Sequence, residues 1–167
     1  DVYKRQPQRR SPDMMPIIGK PAPLFTAEST IGPISLEQCQ GRAVILYFYP
    51  KDNTPGCTTE SQDFRDLHAD FLSASAVVVG ISRDSLKSHE NFKAKYELPF
   101  PLISDADETV CNLYGVIKQK NMYGKQVRGI ERSTFLIDAY GVLVQEWRGV
   151  KVPNHAKEVL QAAKSIG

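Results

Sequence analysis

The chain has 167 residues, 41% of them hydrophobic, with 21 basic and 19 acidic side chains and a formal net charge of +2. That is enough for one domain with a proper core and short for two; the near balance of charge gives no electrostatic case for nucleic acid, and no apolar run reaches membrane-spanning length. The three cysteines, Cys39, Cys57 and Cys111, are odd in number and widely spaced, which is not a secreted disulfide framework and points to a reducing cytoplasm.

Residues 1–13, DVYKRQPQRRSPD, are polar and basic, without periodicity and without the apolar core of a signal peptide. They read as a non-native or disordered segment, with Met14 or Met15 as a start and one domain over residues 14–167; a basic nucleic-acid arm is the functional alternative. Ile17 to Pro23 is an extended entry. Leu24 to Thr30 and Ile34 to Leu36 flank Ile31-Gly32-Pro33, a short hairpin signal. A polar connection, Glu37 to Arg42, carries Cys39. Ala43 to Tyr49 is an unbroken apolar run rich in β-branched and aromatic residues, the pattern of a strand buried on both faces. The loop Pro50 to Cys57 leads into a predicted helix from Thr58 to Leu72, with Phe64, Leu67, Phe71 and Leu72 at helical spacing.

Ala76 to Ser82 is a second buried strand. Ser82 or Asp84 is expected to cap a helix running through Tyr96, with Leu86, Phe92 and Tyr96 turned inward. Phe100 to Ser104 is a short strand, and Asp105 or Asp107 opens a short helix that carries Cys111 and stops near Tyr114-Gly115. Lys118 to Gly129, with four basic residues, reads as a solvated loop, with an anion site as the alternative. Ser133 to Asp138 and Val142 to Trp147 are strands joined by Ala139-Tyr140-Gly141. Asn154 caps a last helix to Ile166, with Ala156, Val159, Leu160 and Ala163 on one face. Strands alternating with helices, then a terminal hairpin and helix, give an α/β fold with a mixed central sheet covered on both faces.

Cys57 stands where open α/β sheets place their active sites, at the carboxyl end of a central strand. Thr54 is a good N-cap residue and Pro55 suits the first helical position. Cys57 then lies in the first turn, facing unpaired backbone N–H groups and the positive end of the helix dipole, both of which favour the thiolate. A small buried cysteine at a strand–helix junction is the bland alternative, and Thr54-Pro55-Gly56 ahead of Cys57 argues against it.

The signature Pro50-x-x-x-Thr54-x-x-Cys57 resembles the active-site motif of the peroxiredoxins. Tyr47 to Lys51, Thr54 to Glu60, Gly80-Ile81-Ser82, Phe100 to Asp105, Lys120 to Lys125 and Arg132 to Asp138 resemble the peroxiredoxin Q (bacterioferritin comigratory protein) branch, in register over about residues 16 to 165. The resemblance implies a thioredoxin-like fold and a thiol peroxidase. Cys57 would be the peroxidatic cysteine, oxidised to sulfenic acid by the peroxide. Thr54 and the N–H groups of Gly56 and Cys57 would hold the peroxide, and Pro50 would cover the site. The Arg132 guanidinium would reach the sulfur, favour the anion and stabilise the departing oxygen. Glu60 either orients Arg132 or belongs to a solvated helix face; both readings stand. No cofactor and no metal is implied. The partners are a hydroperoxide and an external thiol of thioredoxin, glutaredoxin or glutathione type, and the protein is expected to be a monomer.

The chain departs from that branch at the resolving cysteine, because Gln62 and Lys93 occupy its two usual positions. Cys111 is the remaining candidate, with Cys39, though a small apolar residue on an inner helix face is the plainer reading of Cys111. A one-cysteine cycle is therefore expected. A thiol-disulfide exchange enzyme is disfavoured, since no Cys-x-x-Cys is present. A redox-sensing interaction module leaves the Pro-Thr-Cys-Arg set unexplained. His68, His89 and His155 show no metal-ligand spacing, and no glycine-rich nucleotide motif occurs.

Overall fold

The computed structural model describes residues 16–166, so the segment 1–13 and both proposed starts, Met14 and Met15, lie outside the described residues. The expected N-terminal hairpin is two short antiparallel strands, β1 (Thr26–Ala27) and β2 (Ile34–Ser35). A 3-10 turn, Glu37–Cys39, leads into β3 (Ala43–Phe48), which is buried at every position. After the Cys57 loop come α1 (Pro55–Asp66) and α2 (His68–Ser73). The single helix expected from Thr58 to Leu72 is thus two, because Leu67 leaves helical geometry with φ −102° and ψ 8°. The break lets Phe64 and Phe71 both reach the core while Leu72 stays exposed.

β4 (Ala76–Ser82), α3 (Leu86–Tyr96) and β5 (Leu102–Ser104) follow. The cap of α3 is Ser85, whose hydroxyl oxygen accepts the Ser88 N–H; Ser82 and Asp84, the expected caps, are engaged elsewhere. The short helix α4 (Thr109–Leu113) is opened by both expected aspartates: Asp105 accepts the Val110 and Cys111 N–H groups and Asp107 that of Thr109.

The stretch expected as a polar loop is instead an antiparallel hairpin, β6 (Ile117–Met122) and β7 (Lys125–Ile130), paired from Ile117↔Ile130 to Met122↔Lys125. Its turn is Tyr123-Gly124, both at positive φ (54° and 79°), the conformation that matches strand twist in a two-residue turn. β8 (Ser133–Ile137), β9 (Leu143–Arg148) and α5 (His155–Ser165) complete the chain. Asn154 precedes α5 at φ 66° without a side-chain cap bond.

The central sheet runs β5-β4-β3-β8-β9, with β3, β4 and β5 parallel and β8 and β9 antiparallel. This mixed sheet with flanking helices is the thioredoxin-like fold expected from the sequence. Alternation along β3 divides the core in two. Ile45, Tyr47 and Tyr49 pack with Cys57, Phe64, Phe71, Phe92 and α5, whereas Val44, Leu46 and Phe48 pack with Val110, Cys111, Tyr114 and Phe135. At Gly80, opposite Tyr47, an added Cβ would lie 2.9 Å from the Tyr47 Cζ and 2.8 Å from Leu102, so the ring's seat over β4 requires glycine.

Candidate active site

Tyr47 fixes the helix that carries the thiol. Its hydroxyl is 2.8 Å from the Ser61 hydroxyl, and its ring stacks on Phe64. Cys57, Ser61 and Phe64 share a helical face at spacings of four and three, so this anchoring turns Cys57 toward the sheet, where it is 1% exposed. Arg132 comes from the opposite direction in the chain. It immediately precedes β8, which runs antiparallel to β3 with Ser133 opposite Phe48, and this register sets Arg132 at the carboxyl end of β3.

The Arg132 Nη2 donates to Cys57 Sγ at 3.5 Å, and Nη1 donates to Glu60 Oε1 at 2.6 Å. Burial opposes the guanidinium's charge, but the Glu60 carboxylate and the Cys57 sulfur outweigh it and hold its pKa up. Arg132 also passes over Gly56, where a Cβ would sit 3.2 Å from Nη2; glycine leaves that corridor open. Of the two readings of Glu60, the buried one is observed. The side chain is 1% exposed, and its Oε2 has no hydrogen-bond partner among the described residues. Burial raises its pKa to about 7 against the pull of Arg132.

Thr54 occupies the N-cap position, as expected, with φ −85° and ψ 153°. Its side chain does not cap the helix; the hydroxyl donates to the Lys51 carbonyl at 2.8 Å. Pro55 has no N–H, and among the described residues no hydrogen bond takes those of Gly56 and Cys57. The missing cap therefore leaves two donors beside the sulfur, and leaves the lone pairs of Thr54 Oγ1 as acceptors. Pro50 is exposed at the end of β3.

The other cysteines are not brought to this site. Cys111 is fully buried in the second core, across the sheet from Cys57, and Cys39 packs against the same side. Burial pushes the Cys111 thiol far up, with Asp105 adding to it, and burial raises Cys39 as well. All three cysteines are free. Lys93 on α3, half-buried, has its pKa lowered by burial. Sequence reasoning passed over a further cluster: Asp52, Asp84 and His89, whose side-chain ligand atoms lie within 4.8 Å of one another. The aspartate within the active-site loop was its one visible signal; His89 is 37 residues from Asp52 and showed none.

Glu60 and His155 make a pH test. The Glu60 pKa is raised from 4.5 to about 7, so between those values the folded state holds a proton the unfolded state has lost, and stability falls as pH rises. Buried His155, beside Thr134 and Trp147, has its pKa lowered from 6.5 to about 4, chiefly by burial, so stability is lost as pH falls through that window. The two slopes oppose each other. Glu60→Gln removes the first, and its melting temperature should rise with pH from about 4.5 to 6.5 relative to the parent, a differential on the order of 2 kcal/mol. Parallel melting curves for the two proteins across this range would contradict the buried, proton-holding Glu60.

Comparison with known proteins sets this geometry in context. Residues 18–146 match the AhpC/TSA family. The chain is 53% identical over 144 residues to a putative peroxiredoxin bcp of Coxiella burnetii, covering 86% of this chain and 95% of the relative. It is 47% identical over 150 residues to the peroxiredoxin Bcp of Bacillus subtilis, covering 89% and 96%. A solved structure of Xanthomonas campestris peroxiredoxin Q superimposes with a TM-score of 0.84 at 50% identity, covering 90% of this chain and 97% of that one. Another, of the bacterioferritin comigratory protein of the same organism, concerns alkyl peroxide reduction; it superimposes with a TM-score of 0.84 at 49% identity, covering 90% and 98%.

Proposed function

This chain belongs to the AhpC/TSA family, in its peroxiredoxin Q or bacterioferritin comigratory protein branch, and from that premise we propose which of its residues carry its thiol peroxidase activity. Cys57 is the peroxidatic cysteine. The observation that carries this reading is the Arg132 guanidinium 3.5 Å from a cysteine sulfur in the first turn of α1. The Cys57 thiolate attacks one peroxide oxygen, the S–O bond forms as the O–O bond breaks, and the electron pair leaves with the other oxygen. That oxygen takes a proton and departs as water or alcohol, and Cys57 is left as sulfenic acid. Arg132 and the Gly56 and Cys57 N–H groups face the site where the departing oxygen gains charge. Thr54 Oγ1, whose hydroxyl hydrogen is donated in a hydrogen bond to the Lys51 carbonyl, accepts the peroxide O–H. Pro50 covers the mouth of the site, and Glu60 holds Arg132. The substrates are hydrogen peroxide and organic hydroperoxides; the alkyl peroxide reduction of the Xanthomonas relative supports the second class.

Resolution uses an external thiol of thioredoxin, glutaredoxin or glutathione type. That thiol condenses with the sulfenic acid, releasing water and forming a mixed disulfide, and a second thiol frees Cys57. Cys111 and Cys39 lie across the sheet from Cys57, and a disulfide needs Cα atoms within about 7 Å. The protein acts as a monomer on this reading, and three free cysteines suit the cytoplasm. The domain is residues 14–167. Cys111→Ser and Cys39→Ser should each keep at least about half of the turnover with a small-molecule thiol, because the direct route to an external thiol does not involve them. Loss of turnover in either, with the first oxidation of Cys57 still intact, would assign that cysteine the resolving role.

A further inference from the structure

The active-site loop is pinned from below by a buried network that the peroxidase chemistry described above does not use. Asp52, two residues past Pro50 and two before Thr54, has a side chain only 1% exposed, and His89 beside it is fully buried. The Asp52 Oδ1 accepts the Tyr49 hydroxyl at 2.7 Å; Oδ2 accepts the Ser88 hydroxyl and lies 2.8 Å from His89 Nδ1. Burial pushes the Tyr49 phenol well up, which keeps it a donor. The other ring nitrogen of His89 is 2.9 Å from the Ile103 carbonyl on β5. The Asp52 N–H donates to Asp84 Oδ2, which also accepts the Ser82 hydroxyl. Protein donors thus hold both Asp52 oxygens and the engaged oxygen of Asp84. Above this anchor, Asn53 turns the chain at φ 63° and Thr54 closes on Lys51.

We propose that Asp52, with His89 and Ser88 on α3, positions the Pro50–Thr54 arm of the site, setting Thr54 and Pro50 against the sulfur separately from Arg132. This rests on the assignment of Cys57 as the reacting thiol. Two rates separate the arm from the thiol. Oxidation of Cys57 by hydrogen peroxide needs both the thiolate and the arm that orients the peroxide; alkylation of Cys57 by iodoacetamide needs only the thiolate. In Asp52→Ala the peroxide rate should fall about tenfold or more, since small misplacements of orienting groups carry costs of this size, while alkylation stays within about twofold. Asp52→Asn should recover most of the loss, because its amide oxygen accepts from Tyr49 and its N–H group can donate to the Ser88 hydroxyl oxygen, which sits 2.8 Å from the replaced oxygen. Equal peroxide rates in Asp52→Ala and the parent, or both rates falling together, would overturn the positioning role. If Asp52→Ala does not fold, Ser88→Ala carries the test: a peroxide-selective loss of about threefold supports the role, and an unchanged ratio of the two rates overturns it. Failure of the parent itself to be oxidised at Cys57 would instead overturn the assignment of the reacting thiol.

Discussion

Cys57→Ser should reduce peroxide consumption to the rate of the reductant alone, with circular dichroism and melting temperature close to the parent. The serine hydroxyl fits the same place, 1% exposed in the first turn of α1. A thiolate is the nucleophile this chemistry needs, and a serine hydroxyl cannot supply an equivalent anion. The substitution also keeps an acceptor for Arg132 Nη2, so Arg132 and Glu60 have no reason to move. Catalysis that survives in this folded variant would remove Cys57 from the mechanism.

The second large effect belongs to Arg132. Arg132→Met keeps a long side chain and the backbone bond from the Val150 N–H to the carbonyl of residue 132, and removes the charge. The oxidation of Cys57 should slow about 100-fold or more, the usual cost of deleting a donor aimed at developing negative charge. Alkylation of Cys57 at neutral pH should slow as well. The change also strips Glu60 of its cation, leaving a buried carboxyl with neither oxygen paired. Part of any lost stability therefore comes from Glu60. The double variant Arg132→Met/Glu60→Gln should regain stability without regaining rate. If it recovers the rate, Arg132 matters only for folding; stopped-flow oxidation and thermal melts on the same samples decide between the two.

The parts of this site readable from the sequence are those encoded in neighbouring residues. The apolar run of β3, the Pro-Gly before Cys57 and the spacing of Phe64 and Phe71 fixed a strand, a loop and a helix start. Arg132 lies 75 residues from Cys57, and spacing offered nothing to link them; only the family resemblance did. Glu60 was ambiguous because burial of a carboxylate on a polar-looking helix depends on what crosses above it, and that is Arg132. The β6–β7 hairpin was missed because it lacks a continuous buried face: Lys118, Gln119, Lys120 and Gln126 give no apolar alternation, and backbone pairing holds it. The Thr54 cap was misjudged for a related reason, since a hydroxyl can turn back to Lys51 as readily as forward into the helix. The Asp52–His89 pair joins a loop to a distant helix, and such a contact appears only once β3 and β4 lie side by side.

The most direct test is the mass of each cysteine peptide after one equivalent of hydrogen peroxide without a reductant, read under non-reducing conditions with a sulfenic-acid trap present. The account predicts one added oxygen, trapped at Cys57, with Cys39 and Cys111 unmodified. Trapped oxygen at either of those cysteines with Cys57 intact would contradict it, and a stoichiometric Cys57–Cys111 or Cys57–Cys39 peptide would replace the one-cysteine cycle with an internal disulfide.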